Sequence, residues 1–131
     1  MLPFFLQSEI IFDFTQEFCQ LYIDRKSRTT DQMVQAARSG KQNIAEGYLQ
    51  KSLESRIKLL GVARGSLEEL LNDYLDFLRQ KNLKLWEKDS IDAKNVRSFV
   101  YNRYNSYNNY KNYISNPETA ANAMICLINQ T

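Results

Sequence analysis

Four carboxylates form the densest group of side chains in this sequence that could hold metal ions. They are Glu68, Glu69, Asp73 and Asp76. In helical bundles such sites combine carboxylates with histidines. The chain contains no histidine, and lysines and arginines are interspersed around these acids. We therefore expect a solvated helix face here, and we predict neither a metal nor another cofactor.

The lack of histidine also removes the commonest general base and every Ser-His or Cys-His nucleophile pair. Gly61 and Gly65 do not form a phosphate-binding loop, because no strand precedes them and the lysine of a P-loop is missing. We expect them to be small residues at a helix contact. The prediction is a protein that is not an enzyme, and a small hydrolase using the acidic group is the weakest alternative.

Several polar residues lie beside the apolar stripes where two predicted helices should cross. They are Arg38, Asn43, Glu46, Ser52, Arg64 and Ser66. A buried ion pair of Glu46 with Arg38 or Arg64 would fix the register of the two helices. We expect a structural role for this set.

The charge of the chain is small in sum, at +2, and uneven along its length. Residues 1–24 carry acidic residues and no lysine or arginine, whereas residues 25–51 are basic. The candidate nucleic-acid contacts are Arg25, Lys26, Arg28, Lys41 and Lys51. A repeated basic patch attracts phosphate, although solvated helix faces often show the same pattern. RNA or DNA binding is one expectation, and a protein-interaction module without a nucleic-acid role is the other.

Tyrosines recur at every third position from Tyr101 to Tyr113, interleaved with asparagines, Arg103 and Lys111. Each step of three residues falls about 60° short of a full helical circle, so these tyrosines cannot all face one core. Three roles stay open: packing of a helix continuation and loop, a protein interface, and stacking of unpaired bases.

The elements that must position these residues are helices. With 131 residues, 4 glycines and 2 prolines, the chain predicts a single all-α domain, residues 1–131, because an all-β fold would need many more turn residues. The predicted helices span 8–24, 30–46 and 52–80, with two more starting at Ser90 and Pro117. The expected N-caps are Ser8, Thr30 or Asp31, Ser52, Ser90 and Asn116. Gly40 should mark a tight helix crossing, and Gly47 should end the second helix.

The third predicted helix has the strongest apolar stripe in the sequence. The stripe consists of Leu53, Ile57, Leu60, Ala63, Leu67, Leu71, Tyr74 and Leu78. A helix over residues 52–80 would be roughly 43 Å long at about 1.5 Å per residue, which is more than a domain of this size needs. A homo-oligomer that buries the excess is therefore expected.

Cys19 and Cys126 are far apart and lie on apolar helix faces, which favours buried free thiols in a reducing compartment over a disulfide. The N-terminal stretch has no basic segment typical of a signal peptide, and no window of the length of a membrane span is apolar. We expect a cytoplasmic protein without a membrane segment.

Two stretches of the sequence resemble a known family. They are Ala36-Ala-Arg-Ser-Gly-Lys-Gln-Asn-Ile-Ala-Glu-Gly47 and, after Ser52, Leu59-Leu-Gly-Val-Ala-Arg-Gly-Ser-Leu-Glu-Glu-Leu70. They resemble the four-helix-bundle family of proteins encoded in bacterial 23S rRNA intervening sequences, and the resemblance covers residues 8–80. The stretch from Pro117 to Ile128 is similar to a subgroup called the four-helix-bundle suffix domain.

The resemblance implies an up-and-down four-helix bundle, with the C-terminal helix as a candidate extra element. It also implies a ring-like homopentamer and, as in the accessory proteins of diversity-generating retroelements, basic surfaces that bind nucleic acid and a reverse transcriptase. The residues that match the family pattern are Arg38, Asn43, Glu46, Gly47, Ser52 and Ser66, none of them with a catalytic role. Ser55 replaces the usual glutamate, which removes one half of a capping box. In the subgroup the last helix continues past the position of Thr131.

Overall fold

The computed structural model describes residues 2–131, except for the side chain of Leu2, and every regular element in that range is helical. The helices are α1 (Leu2–Tyr22), α2 (Arg28–Leu49), α3 (Leu53–Gln80), α4 (Ile91–Ser98), α5 (Tyr107–Tyr110) and α6 (Pro117–Asn129). Two 3₁₀ turns, Phe99–Tyr101 and Lys111–Ser115, flank α5. The predicted all-α class is confirmed. The single domain from residue 1 to 131 stays a prediction, and Met1 lies outside the described residues.

The bundle consists of α1, α2, α3 and α6, each packed against its neighbours, and α6 contacts both α1 and α3. The Thr131 hydroxyl, at the end of α6, donates to Gln7 Oε1 near the start of α1 at 2.9 Å. At the opposite end, the Tyr22 hydroxyl donates to the carbonyl of Ile114 at 2.5 Å. The helices therefore alternate in direction, which confirms the up-and-down bundle. The C-terminal helix takes the fourth position, and α4, which packs against α6, is the additional element.

The centre of the core is aromatic. Phe18 of α1 lies edge-on to Tyr74 and Phe77 of α3, with ring centroids 5.0 Å and 4.9 Å apart. Tyr74 is fully buried, and its hydroxyl shares a hydrogen bond of 2.7 Å with Thr15 Oγ1. This pairing satisfies a buried polar group that would otherwise destabilise the core.

The close crossing predicted at Gly40 is confirmed. Gly40 is buried, and a Cβ atom there would lie 2.7 Å from Cδ2 of Leu67 in α3. At the preceding residue of each helix, the hydroxyls of Ser39 and Ser66 share a hydrogen bond of 2.8 Å across the same interface. The α2 and α3 backbones approach closely because glycine and serine occupy their contact.

The start of α1 differs from the prediction. Ser8 is not an N-cap, because the helix already begins at Leu2. The Ser8 side chain is fully buried, and its hydroxyl donates to the carbonyl of Phe5 at 2.7 Å. A serine inside a helix commonly bonds to the carbonyl of the preceding turn in this way.

The ends of α2 also differ. Ser27, rather than Thr30 or Asp31, caps the helix by accepting a hydrogen bond from the Thr29 amide at 3.1 Å. Gly47 does not end α2, which continues to Leu49. Gly47 is buried, and a Cβ atom there would lie 3.0 Å from Leu60, so this glycine serves helix packing instead.

The other predicted caps are confirmed. Ser52 and Ser90 accept from the amides of Ser55 and Ala93 at 3.1 Å and 3.2 Å. Asn116 accepts from two amides at the start of α6, where Pro117 occupies the first turn.

A buried amide attaches the connection after α3 to α6. The Asn122 side chain accepts from the Trp86 amide at 2.7 Å and donates to the carbonyls of Lys84 and Glu118 at 2.8 Å and 2.9 Å. The Trp86 ring packs edge-on against Tyr113, with centroids 6.2 Å apart. Trp86 therefore anchors this connection to the rest of the bundle.

Both cysteines are free, Cys19 buried and Cys126 half-buried, as predicted. None of the helices in residues 2–131 combines the length and the apolar character needed to cross a membrane.

Candidate functional site

The turn between α1 and α2 carries a compact set of free cations. Arg25, Lys26 and Arg28 are all exposed. Within the described residues, the salt bridge that forms is Arg79 with Asp76, at 3.5 Å, so none of these three cations is paired. This turn can therefore bind an anionic partner without first breaking an ion pair.

The two other predicted nucleic-acid contacts lie elsewhere. Lys51 is exposed in the turn between α2 and α3, at the opposite end of the bundle, and about 32 Å of helix separates it from Arg28. Lys41 is half-buried on the side of α2, and its Nζ lies 5.0 Å from the ring centroid of Phe12. The five predicted contacts therefore do not form one patch.

Tertiary structure adds other cations to the same end as Arg25. Because α1 and α3 are parallel, both end there, and the segments before α6 return to it. Lys81, Lys84 and Lys111 are exposed in this region. We call the set Arg25, Lys26, Arg28, Lys81, Lys84 and Lys111 the basic end. The last three residues are distant in sequence from the first three, so sequence reasoning could not join them.

Two acidic side chains at this end accept hydrogen bonds from backbone amides. Asp24 accepts from the Lys26 amide at 3.0 Å, and Glu118 accepts from the Lys84 amide at 2.7 Å. These carboxylates weaken the positive field, although their bonds hold them against the chain. The lysine side chains remain free to reach outward.

The tyrosine run splits into exposed and buried members, but residues 102–106 are not helical, so the predicted sweep around one helix is not what divides them. Tyr101 and Tyr104 are 86% and 78% exposed. Tyr110 is fully buried with its ring edge-on to Phe99, and burial raises its pKa to about 12. The Tyr107 hydroxyl donates to the carboxylate of Glu17. Of these four tyrosines, Tyr101 and Tyr104 are the exposed ones, and Arg103 lies over the ring of Tyr104.

The buried ion pair expected at the crossing of α2 and α3 is wrong. Arg38, Glu46 and Arg64 are all exposed. The polar contact at the crossing is instead neutral, since Asn43 donates to the carbonyl of Ser39 at 2.8 Å and Ser39 bonds to Ser66. Neutral groups need less desolvation than ions, which suits so close a crossing.

Gly61 and Gly65 were expected at a helix contact, and this is wrong within the chain. Both are exposed, and a Cβ atom at either position would meet nothing within 4 Å. They lie on the side of α3 that faces away from the core.

The acidic residues of α3 face solvent. Glu68, Glu69 and Asp76 are exposed and Asp73 is half-buried. Partial burial, with the neighbouring charges of Asp76 and Glu69, raises the pKa of Asp73. In the part of the chain that the structure describes, no three metal-ligating side chains converge.

An apolar groove of about 590 Å³ opens where α6 ends. Its walls include Ile44 and Tyr48 of α2, Leu60 and Leu67 of α3, and Ile128 of α6. The helix α6 is about 18 Å long and α3 about 40 Å, so the first turns of α3, around Leu53 and Ile57, extend beyond the end of α6. Along the stripe of α3, exposure rises from 5% at Leu67 to 61% at Ile57 and 70% at Leu53.

Comparison with known protein families assigns the chain to a family. A model of the 23S rRNA-intervening sequence protein family matches residues 6–115, which is most of the chain. No curated protein and no solved structure gives a significant match. The chain therefore belongs to the family of 23S rRNA-intervening sequence proteins.

Proposed function

We propose that this protein is a non-enzymatic, self-associating bundle that binds RNA through its basic end. The observation that carries the proposal is the unpaired, exposed set of Arg25, Lys26 and Arg28. Lys81, Lys84 and Lys111 extend the same surface. The name of the family links it to ribosomal RNA, which makes an rRNA fragment the natural probe.

Self-association supports this function because each copy adds one basic end to the assembly. Each phosphate contact adds to the affinity for RNA. Several basic ends in one assembly therefore bind RNA more tightly than a single basic end. The uncovered stripe of α3, ending at Ile57 and Leu53, supplies apolar surface for such an assembly. A ring of identical subunits, such as a homopentamer, would display the basic ends symmetrically.

The test measures the affinity for a fluorescein-labelled, single-stranded rRNA fragment at a series of salt concentrations. We expect the logarithm of affinity to fall linearly with the logarithm of salt concentration, at about −0.7 per phosphate contact. Changing Arg25, Lys26 and Arg28 together to glutamate should lower affinity at least tenfold and flatten the slope. Lys51→Glu, compared with Arg25→Glu alone, is the matched control, because each reverses one exposed charge and the two lie at opposite ends of the bundle.

A second variant compares the contribution of the exposed tyrosines to RNA affinity with that of the cations. Tyr107 and Tyr110 are unsuitable because they pack inside the protein, so Tyr101 and Tyr104 are changed to serine instead. We expect a smaller loss than for the triple reversal. If the serine variant abolishes binding while the triple reversal leaves affinity and slope intact, the basic end is not the RNA site.

Absence of RNA binding at low salt would favour the alternative, a protein-interaction module. The observation behind that alternative is the apolar groove beside α6 together with exposed Leu53 and Ile57. This apolar surface would explain self-association of the protein without any role for nucleic acid. The two proposals therefore separate on the RNA experiment alone.

A further inference from the structure

A second groove, of about 530 Å³, lies between the first turns of α1 and the segment 100–105. Pro3, Phe5 and Leu6 form one apolar wall, and Val100 and Tyr101 form the other. Leu6 is 36% exposed and Tyr101 is 86% exposed. The groove therefore presents apolar and aromatic surface directly to solvent, at a place distinct from the basic end.

The charge beside this groove is negative along α1. Glu9 lies in the groove wall, and Asp13 and Glu17 follow one and two turns further on the same helix. Helix α1 contains no lysine or arginine, and within the described residues no cation forms a salt bridge with these three acids. Glu17 is engaged by the Tyr107 hydroxyl, which leaves Glu9 and Asp13 open to an incoming cation.

One cation also lines this groove and keeps its positive charge, so the negative charge is confined to the α1 side. Arg103 lines the opposite wall, and its guanidinium carbon lies 5.7 Å from the ring centroid of its neighbour Tyr104. Tyr101 carries no such partner among the described residues. Its exposed face can accept an arginine or lysine from another molecule by a cation–π contact.

We propose that this groove binds a basic, amphipathic peptide segment of a partner protein. An apolar side chain of the segment enters between Phe5 and Val100, and its lysines or arginines pair with Glu9 and Asp13 and stack on Tyr101. The segment is cationic because the α1 side of the groove is acidic, and the same acids repel a nucleic-acid strand. Tyrosine beside an apolar pocket is the composition typical of energetically important interface positions.

The direct test uses a fluorescein-labelled synthetic peptide of about ten residues that alternates arginine and leucine. We expect fluorescence anisotropy to show saturable binding that weakens as salt is raised. A peptide of the same length that alternates glutamate and leucine should not bind. Equal binding of the two peptides would overturn the proposal, because charge would then play no part.

Two variants locate the binding. Glu9→Gln combined with Asp13→Asn keeps the side-chain shapes and removes the charges, and it should weaken binding about three- to tenfold. Tyr101→Ser alters an exposed ring and should weaken binding by a similar factor while leaving the circular dichroism spectrum unchanged. Glu54→Gln removes an exposed acid at the start of α3, far from the groove, and should leave affinity unchanged. If Glu54→Gln weakens binding as much as the paired variant, the attraction is non-specific and the proposal fails.

Amide chemical shifts in the nuclear magnetic resonance spectrum identify the surface that is used. We expect peptide-induced shifts at residues 5–9 and 100–105. Shifts confined to the acidic face of α3 around Asp73 would overturn the proposal. Light scattering tests whether a second copy of this chain fills the groove. A smaller oligomer mass for Tyr101→Ser than for the unaltered protein would mean that it does, and that a basic peptide does not. None of these readouts requires RNA, so failure here and failure of the RNA site are separate results.

Discussion

Gly40 and Leu67 face each other where α2 crosses α3, and a Cβ atom on Gly40 would lie 2.7 Å from Leu67 Cδ2 and 2.9 Å from its Cγ. Leu67 is only 5% exposed, and it lies beside Ala63, which is 2% exposed. Leu67 also lines the groove beside α6, so a side chain larger than a methyl group is needed at Gly40 to force the two helices apart. The missing side chain of Gly40 sets the separation of these two helices.

Gly40→Leu should lower the free energy of unfolding by more than about 2 kcal/mol, because the new side chain would wedge the crossing apart. Urea denaturation measures this change. Gly65→Ala is the matched control, since that glycine is exposed with nothing within 4 Å of a Cβ atom. It should raise stability by about 0.5 to 1 kcal/mol through helix propensity. An unchanged stability of Gly40→Leu would show that the crossing is not close in solution.

Asn122→Ala should destabilise the protein by about 2 to 3 kcal/mol, because it leaves the Trp86 amide and the Lys84 carbonyl without their buried partner. Asn129→Ala, at an exposed position on the same helix, should have little effect. Trp86 is the sole tryptophan of the chain, so its fluorescence reports on the detached connection. We expect a red shift of its emission in Asn122→Ala, and an unshifted spectrum would contradict the anchoring role.

Stability should fall in alkaline solution. Burial, with a smaller contribution from the charge of Asp73, raises the pKa of the Cys19 thiol from 9.0 to about 11, although the neighbouring Thr30 side chain acts in the opposite direction. The unfolded chain therefore releases this proton near pH 9 while the folded chain retains it, so unfolding is favoured increasingly between about pH 9 and 11. Urea titrations at several pH values across this window should show a shallower decline for Cys19→Ala than for the unaltered protein. Identical slopes would exclude a contribution from this thiol.

The protein should be an oligomer at micromolar concentration, and Ile57→Glu should dissociate it. Ile57 is 61% exposed on the stripe of α3 that α6 does not cover, so a charge there disrupts an apolar interface without disturbing the core of the subunit. Multi-angle light scattering after gel filtration gives the mass. Val62→Glu is the control, because Val62 is 48% exposed and lies on a different side of α3. A monomeric unaltered protein would refute self-association.

The sequence by itself was sufficient for the helices whose signals are local. A cap is a contact between a side chain and an amide two or three residues away, so Ser52, Ser90 and Asn116 could be identified correctly. Periodicity identified the part of the α3 stripe that is buried, namely Ala63, Leu67, Tyr74 and Leu78, because burial of one helix face repeats every turn. The tyrosine run divides between core and surface, but it does so through short separate segments and not through the single helix that the period of three assumed.

Competition between local signals caused the errors at helix ends. Ser8 and Gly47 are residues typical of caps, yet both lie inside helices, because packing of the surrounding apolar residues stabilises the longer helix. Ser27 caps α2 although Thr30 and Asp31 are equally suitable by type. Choosing among neighbouring cap residues requires the position of the preceding helix.

Only the tertiary structure decided which helix closes the bundle and which cations share a surface. The helix α6 takes the fourth position because its buried face fits between α1 and α3, a fit that no local pattern contains. Arg25 and Lys81 reach the same end because α1 and α3 are parallel, and Lys51 is excluded because α2 carries it to the other end. The basic end and the groove at Tyr101 both join residues that are distant in sequence, and such contacts depend on packing of the whole chain.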